Sequence, residues 1–191
     1  MAIDIESIFA DKFLDLSKDN NLKNVTIKEL LQETGASKQT FYNHFMDKDD
    51  LICWIYEHRI LSSFHDKTLK MTYYMSVLDY LNRIAKYYDF MRQAVELTGQ
   101  NSLTDFMKRY SAEYDISWQK VHCNREYLTE EELFALEYHS IANMEMTIRW
   151  IKNGMPETPE FMAKQATVLR RIGLGPLFYE GDNAKKYYDG I

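Results

Sequence analysis

The chain has 191 residues, 46% of them hydrophobic, with seven glycines, three prolines and a formal net charge of −6. That length suits one sizeable core, or a small unit joined to a larger one, and the scarcity of turn formers excludes a disordered chain or a turn-rich sandwich. No apolar run approaches the ~20 residues that cross a bilayer, no secretory leader is visible, and the two cysteines, Cys53 and Cys123, make no Cys-x-x-Cys spacing. These features predict a reduced, cytoplasmic protein without a structural metal or cofactor, its cysteines small buried side chains.

In chain order, Ile5, Ile8, Phe9, Phe13 and Leu16 recur at helical spacing and predict a first helix over residues 3–18, closed by Asp19, Asn20 and Asn21. Thr26 then suits an N-cap. Ile27, Leu30 and Leu31 line one face of a second helix, and Gly35 supplies the left-handed backbone that ends it. Ser37 caps a third helix in which Phe41 and Phe45, four residues apart, form a buried seam. Lys38, Gln39, Thr40, Tyr42, Asn43 and His44 are left to face outward.

Two helices joined by a Gly-containing turn make a helix-turn-helix, whose second helix fits the DNA major groove and can read base edges there. Its polar face is then a reading face, with Gln39 and Lys38 as candidates for base contact. Thr26 and Lys48, each near a helix start, suit phosphates and would position the protein on the duplex. Net charge argues the other way: through Asp50, six lysines against ten acids leave −4. Binding must come from a few well-placed contacts, doubled in a dimer.

Thr26, Gly35, Ser37, Phe41, Tyr42, His44, Phe45, Lys48 and Leu51 resemble the N-terminal signature of the TetR family of bacterial transcriptional regulators, and the run Gly-Ala-Ser-Lys-Gln-Thr-Phe-Tyr-Asn-His-Phe is similar to that family's turn and recognition helix. The resemblance covers about the first quarter of the chain directly. It implies an all-α fold, with a three-helix DNA-binding unit over residues 1–46 joined by a long helix to a larger helical unit over residues 47–191. It further implies a homodimeric repressor that binds palindromic double-stranded operator DNA and releases it when a small-molecule effector enters the larger unit. The DNA contacts it carries over are Thr26, Ser37, Lys38, Gln39, Thr40, Tyr42, Asn43, His44 and Lys48.

Beyond the motif, the stretch from Asp47 to Lys67 contains no Gly or Pro and predicts one stiff helix of roughly 30 Å, a lever from the DNA-binding unit to the larger one. Further helices are predicted over residues 73–87, 89–97, 102–121, 129–152 and 158–172, with breaks at Gly99, at residues 123–127 and at Gly154 with Pro156. Thr129 and Glu132 spell a capping box, and Thr158 before Pro159 an N-cap with Pro at the first helical position. The helix after Thr129 is apolar on more than one face, which asks for cover from a second copy of the chain. Leu136, Met144, Ile148 and Ile151, with Phe161 and Leu169 from the next helix, are the candidate dimer contacts.

Phe64, Tyr87, Phe90, Met91, Phe106, Tyr110, Trp118, Tyr138 and His139 offer large apolar bodies with polar tips, suited to lining a ligand pocket. No paired carboxylates, Gly-rich phosphate loop or activated nucleophile is visible, so the chain is not expected to be an enzyme. The competing reading is a helical protein-interaction or coactivator module that keeps the fold without binding an operator itself.

Overall fold

The computed structural model describes residues 4–19, 21–62, 64–99 and 101–179, which fold as ten α-helices and one π-helical turn. The elements are α1 (Ile5–Asp19), α2 (Ile27–Thr34), α3 (Lys38–His44), α4 (Lys48–Ile55) with a π-turn over Tyr56–Ile60, α5 (Phe64–Thr68), α6 (Tyr73–Lys86), α7 (Tyr88–Ala94), α8 (Leu103–Cys123), α9 (Glu130–Lys152) and α10 (Pro159–Phe178). Among the described residues no strand occurs. Ile3, Asn20, Ser63 and the tail after Tyr179, all included in the expectations above, lie outside the described residues.

The termini form where their caps are written. Thr26 Oγ1 accepts from Glu29 N at 3.1 Å, and Ser37 Oγ accepts from Thr40 N at 3.0 Å. Thr129 and Glu132 cap reciprocally, Thr129 Oγ1 accepting from Glu132 N while Thr129 N donates to Glu132 Oε2. Each arrangement satisfies amide groups that the first helical turn leaves open. Gly35 ends α2 at φ 68°, the left-handed region that side chains with a Cβ resist.

Buried side chains form one continuous cluster running from Phe9 in α1 to Ala163 in α10. α1 packs on α2, α4 and α7; α8 packs on α9, and α10 packs on α6 and α9. Two polar fasteners hold the N-terminal helices to the rest. Gln93 of α7 accepts from Leu22 N at 2.7 Å and donates to Ser17 O at 2.9 Å, while Arg59 pairs with Asp11 at 2.8 Å.

Three expectations need correction. The stretch from Asp47 to Lys67 is not one helix: Leu61 N bonds five residues back to Tyr56 O at 2.9 Å, and the chain turns before α5. At the break, Arg83 of α6 donates to the carbonyls of Ile60 (3.0 Å) and Ser62 (2.8 Å), so backbone acceptors left without a helical partner are satisfied by a side chain. Next, α10 does not end at Ile172 but runs through Gly173, Gly175 and Pro176 to Phe178, with Leu174 and Gly175 buried against its neighbours. Packing here outweighs two weak helix formers and a proline. Finally, the two cysteines are half-buried and unpaired with each other.

Because nothing lies within 4 Å of a Cβ built on Gly35, the cost of a side chain there is purely conformational. Gly35→Ala should lower unfolding stability in urea by about 1 kcal/mol, and Gly35→Asn by less, since Asn tolerates the left-handed region better.

Candidate nucleic-acid interface and central cavity

α3 is held from below and open above. Phe41 is completely buried and Phe45 nearly so; both meet Phe9 edge-on, at centroid distances of 5.3 and 6.1 Å. With that seam turned inward, helical geometry turns Lys38, Gln39, Tyr42 and Asn43 outward, and all four are exposed. Gln39 and Asn43 lie one turn apart, and among the described residues neither side chain makes a hydrogen bond. Their amides are free to pair with a base edge, adenine being the base whose donor and acceptor they match. Lys38 lies over the Tyr42 ring at 5.8 Å, a contact that steadies both long side chains beside that edge.

The remaining residues expected at the DNA divide into three groups. Thr26 is exposed at the start of α2, beside the exposed Lys28, which the sequence reading passed over although it stands in the same helical turn. Ser37 and Thr40 are tied to each other at 2.8 Å, and His44 Nδ1 lies 3.0 Å from Glu6 Oε1, so these side chains shape α3 as well as flank it. Lys48 differs most from expectation. Its ammonium is turned toward the chain's own backbone, within 3.4 Å of the carbonyls of Leu22, Lys23 and Val25, and it clamps the turn between α1 and α2 to α4.

Among the ligand candidates, only Phe64 and Tyr110 line the central cavity, with Tyr73, Ser76, Val77, Tyr80, Ser111, Tyr114, Asp115, Asn143, Met144 and Thr147. Its volume is about 40 Å³. Trp118 is instead fully buried, stacked on His122 at 3.7 Å and donating to Met71 O. Tyr87 and Phe90 border a separate groove against α1, Met91 is core, and Phe106 packs edge-on against Tyr56 at 5.9 Å. Tyr138 points to solvent, and His139 stands behind the cavity wall, 3.8 Å from Asp115. Half of the missed cavity residues, Ser76, Ser111, Asp115, Asn143 and Thr147, are small and polar, and they are gathered by the packing of α6, α8 and α9.

One polar cluster backs the cavity. Arg170 of α10 is fully buried, 3.1 Å from Asp115 Oδ2, donating to Gln119 Oε1 at 3.0 Å and lying over the Tyr73 ring at 4.3 Å. Burial raises the phenol pKa of Tyr73, Tyr80 and Tyr114, and that of Tyr110 is pushed up to about 12. All four hydroxyls therefore stay protonated near neutral pH. Tyr80 shares its hydroxyl with Tyr56 of the π-turn at 2.6 Å, linking the cavity wall to the element that follows α4.

Four of the expected dimer residues face inward. Leu136, Met144, Ile148 and Ile151 are at most 3% exposed and belong to the chain's own core, because α8 covers that side of α9. The side of α9 left open carries Phe134, Tyr138 and Ile141, and α10 adds Phe161, Leu169 and Ile172, each more than half exposed. Phe161 and Leu169 thus remain available to a partner, with neighbours the sequence reading did not choose.

A capped helix-turn-helix fastened to an all-helical body has the layout of a DNA-binding transcription regulator. Residues 71–171, more than half the chain, match a TetR-type family model described as "Transcriptional regulator C-terminal region". The chain belongs to the TetR family of transcriptional regulators, and it is not an enzyme. It is 29% identical over 63 residues to the HTH-type dhaKLM operon transcriptional activator DhaS of Lactococcus lactis subsp. lactis (strain IL1403), an alignment spanning 33% of this chain and only 34% of that relative. A solved structure titled "Dihydroxyacetone kinase operon activator DhaS" superposes with a TM-score of 0.71 over 94% of this chain and 100% of that one. At 19% identity this second likeness shows the shared fold.

The clamp geometry sets an expectation for Lys48. Lys48→Met should cost about 1–3 kcal/mol of unfolding stability, since three carbonyls lose a charged donor, while leaving the slope of log affinity against log salt unchanged. A slope lowered by about one unit at unchanged stability would return Lys48 to the phosphate contacts.

Proposed function

We propose that the chain is a dimeric operator-binding regulator, with residues 1–46 as the DNA-binding head and residues 47–191 as the body that pairs with a second copy and receives a small molecule. The observation that carries it is the exposed Gln39 and Asn43 edge of α3, presented on a seam of buried phenylalanines. Gln39 reads bases with Asn43 beside it; Thr26, Lys28, Lys38 and Tyr42 hold phosphates. Acting on chromosomal DNA, the protein works in the cytoplasm.

The dimer reading is supported by the apolar face of α9 and α10. Phe134, Tyr138 and Ile141 follow one stripe of α9, and Leu169 and Ile172 lie on the helix packed beside it. A surface of this kind on one molecule matches itself across a two-fold axis. The same axis places two α3 helices on one face of a duplex, which suits a palindrome with half-sites about 34 Å apart or a multiple of that.

The sequence resemblance implies a repressor, whereas both relatives carry the name of an activator. The two differ in where the operator lies relative to the promoter, not in how α3 reads it. We take the small molecule to act through the cavity, because its wall residue Tyr80 is bonded to the π-turn that continues α4. A ligand that moves Tyr80 moves the support of the DNA-binding head.

In a titration of the full chain against operator variants, Gln39→Ala should relax preference at one base pair per half-site, by about 1–3 kcal/mol of lost discrimination. Equal loss for every variant would remove Gln39 from base reading, and no salt-dependent binding by the unaltered chain would favour the interaction-module reading.

For the dimer, Tyr138→Glu with Leu169→Glu should convert a species of about 45 kDa, twice the 22.7 kDa chain, into the single chain in sedimentation at micromolar concentration, by placing unpaired charge in an apolar contact. An unaltered chain that sediments as a monomer would reject the arrangement.

A further inference from the structure

The π-turn over Tyr56–Ile60 is held to the body at both of its ends. Tyr56 opens it and shares its hydroxyl with Tyr80 of α6 at 2.6 Å; Ile60 closes it, its carbonyl accepting from Arg83 of α6 at 3.0 Å. Between them, Arg59 reaches toward the head. Its Nη2 donates to Asp11 Oδ1 of α1 at 2.8 Å, and its guanidinium lies over the Trp54 ring at 5.8 Å. In an unbroken α-helix, side chains three residues apart such as those of Tyr56 and Arg59 share one face. A π-turn closes its hydrogen bonds over one residue more, and here the two part company, Tyr56 to α6 and Arg59 to α1.

Asp11 stands where α1 takes a second hold. Gln93 of α7 fastens α1 near its C-terminal end, donating to Ser17 O at 2.9 Å. Asp11 precedes Ser17 by about 9 Å along the helix, and a rod held at two points swings less than a rod held at one. Apolar packing on α4 and α7 presses α1 down, but such contact is non-directional. The same guanidinium steadies Trp54, which stacks on His58 at 4.2 Å and meets Phe45, the C-cap of α3, edge-on at 6.1 Å. Arg59 therefore touches α1 directly and backs α3 through one ring. Because the Asp11 side chain is 67% exposed, the pair adds little to stability. Its effect is on direction.

We propose that Arg59 is a positioning residue for operator recognition: by pairing with Asp11 it fixes the angle at which the head leaves the body, and with it the half-site spacing that two paired heads accept. The proposal rests on the reading of the chain as a dimeric operator-binding regulator, and it adds the contact that makes such a dimer selective for spacing.

In the test, the unaltered full chain first selects its operator from a pool of random duplexes. The half-sites are then moved together or apart by one base pair, which shifts one against the other by about 3.4 Å and turns it by about 35°. Affinity of the unaltered chain should fall about tenfold on either move, and that of Asp11→Asn or Arg59→Met about threefold, with the preference at each base pair inside a half-site unchanged. The difference is about 0.7 kcal/mol, a size that one exposed ion pair in each of two chains can supply. Asp11→Glu, which keeps the charge, should keep the steep profile. Arg59→Met also removes the contact with Trp54 and can weaken the fold; Asp11→Asn spares that contact and carries the test alone if it does. A profile as steep in Asp11→Asn as in the unaltered chain, whatever loss of affinity is common to all spacings, would overturn the proposal and leave Arg59 a packing contact. A selection that returns no paired half-sites would instead overturn the dimeric reading, and this proposal with it.

Discussion

A helix of seven residues does not hold its shape in water, because nucleating it fixes several residues for only a few hydrogen bonds. α3 is such a helix, and the polar edge proposed to read DNA is mounted on it. What holds it is the aromatic seam, in which Phe9 meets Phe41 and Phe45 edge-on and Phe45 in turn meets Trp54 of α4 at 6.1 Å. That packing fixes both the existence of α3 and the direction of its polar edge. Gly35 and Ser37 add the turn and the cap, so the seam, the left-handed glycine and the hydroxyl together define one geometry for Gln39 and Asn43.

The acidity of the chain acquires a structural sense when its ion pairs are placed. Lys12 pairs with Glu33, Arg59 with Asp11, and Lys48 faces backbone carbonyls, so much of the positive charge near the head is spent on holding helices together. Lys23, Lys28 and Lys38 are exposed near the interface instead. A binder with few free cations on an acidic body has little affinity for arbitrary duplex and depends on fit, which is the regime in which a second copy matters most. Through Gln93 and Arg59, α1 is fastened to the π-turn and to α7 and is not carried on a tether.

Local rules were legible from the sequence wherever the answer lies within four residues. Thr26, Gly35, Ser37, Thr129 and Thr158 each behave as their side chains dictate, and the Phe41 and Phe45 spacing gave the buried face of α3. Failures begin where a partner from a distant helix decides. The helix after Asp47 has no breaker in its own sequence, and the donor that satisfies the carbonyls at its break, Arg83, lies more than twenty residues on. On α9, apolar residues cover most of the circumference, so periodicity could not say which stripe α8 would take and which would be left open. The cavity was the least legible feature, because Ser76, Ser111, Asp115, Asn143 and Thr147 come from three helices and share no pattern. Of the aromatic candidates, Trp118 and Phe90 fill core space, while Tyr138 faces solvent.

The central claim is that two copies of the chain present two α3 helices to one duplex. Footprinting of the full chain on the DNA flanking its own gene, with hydroxyl radicals to resolve single backbone positions, tests it most directly. The account predicts two protected, inversely repeated half-sites on one face of the helix, their centres separated by about 34 Å or a multiple of it. Protection of a single unrepeated site, or protection spread evenly along the fragment, would contradict it.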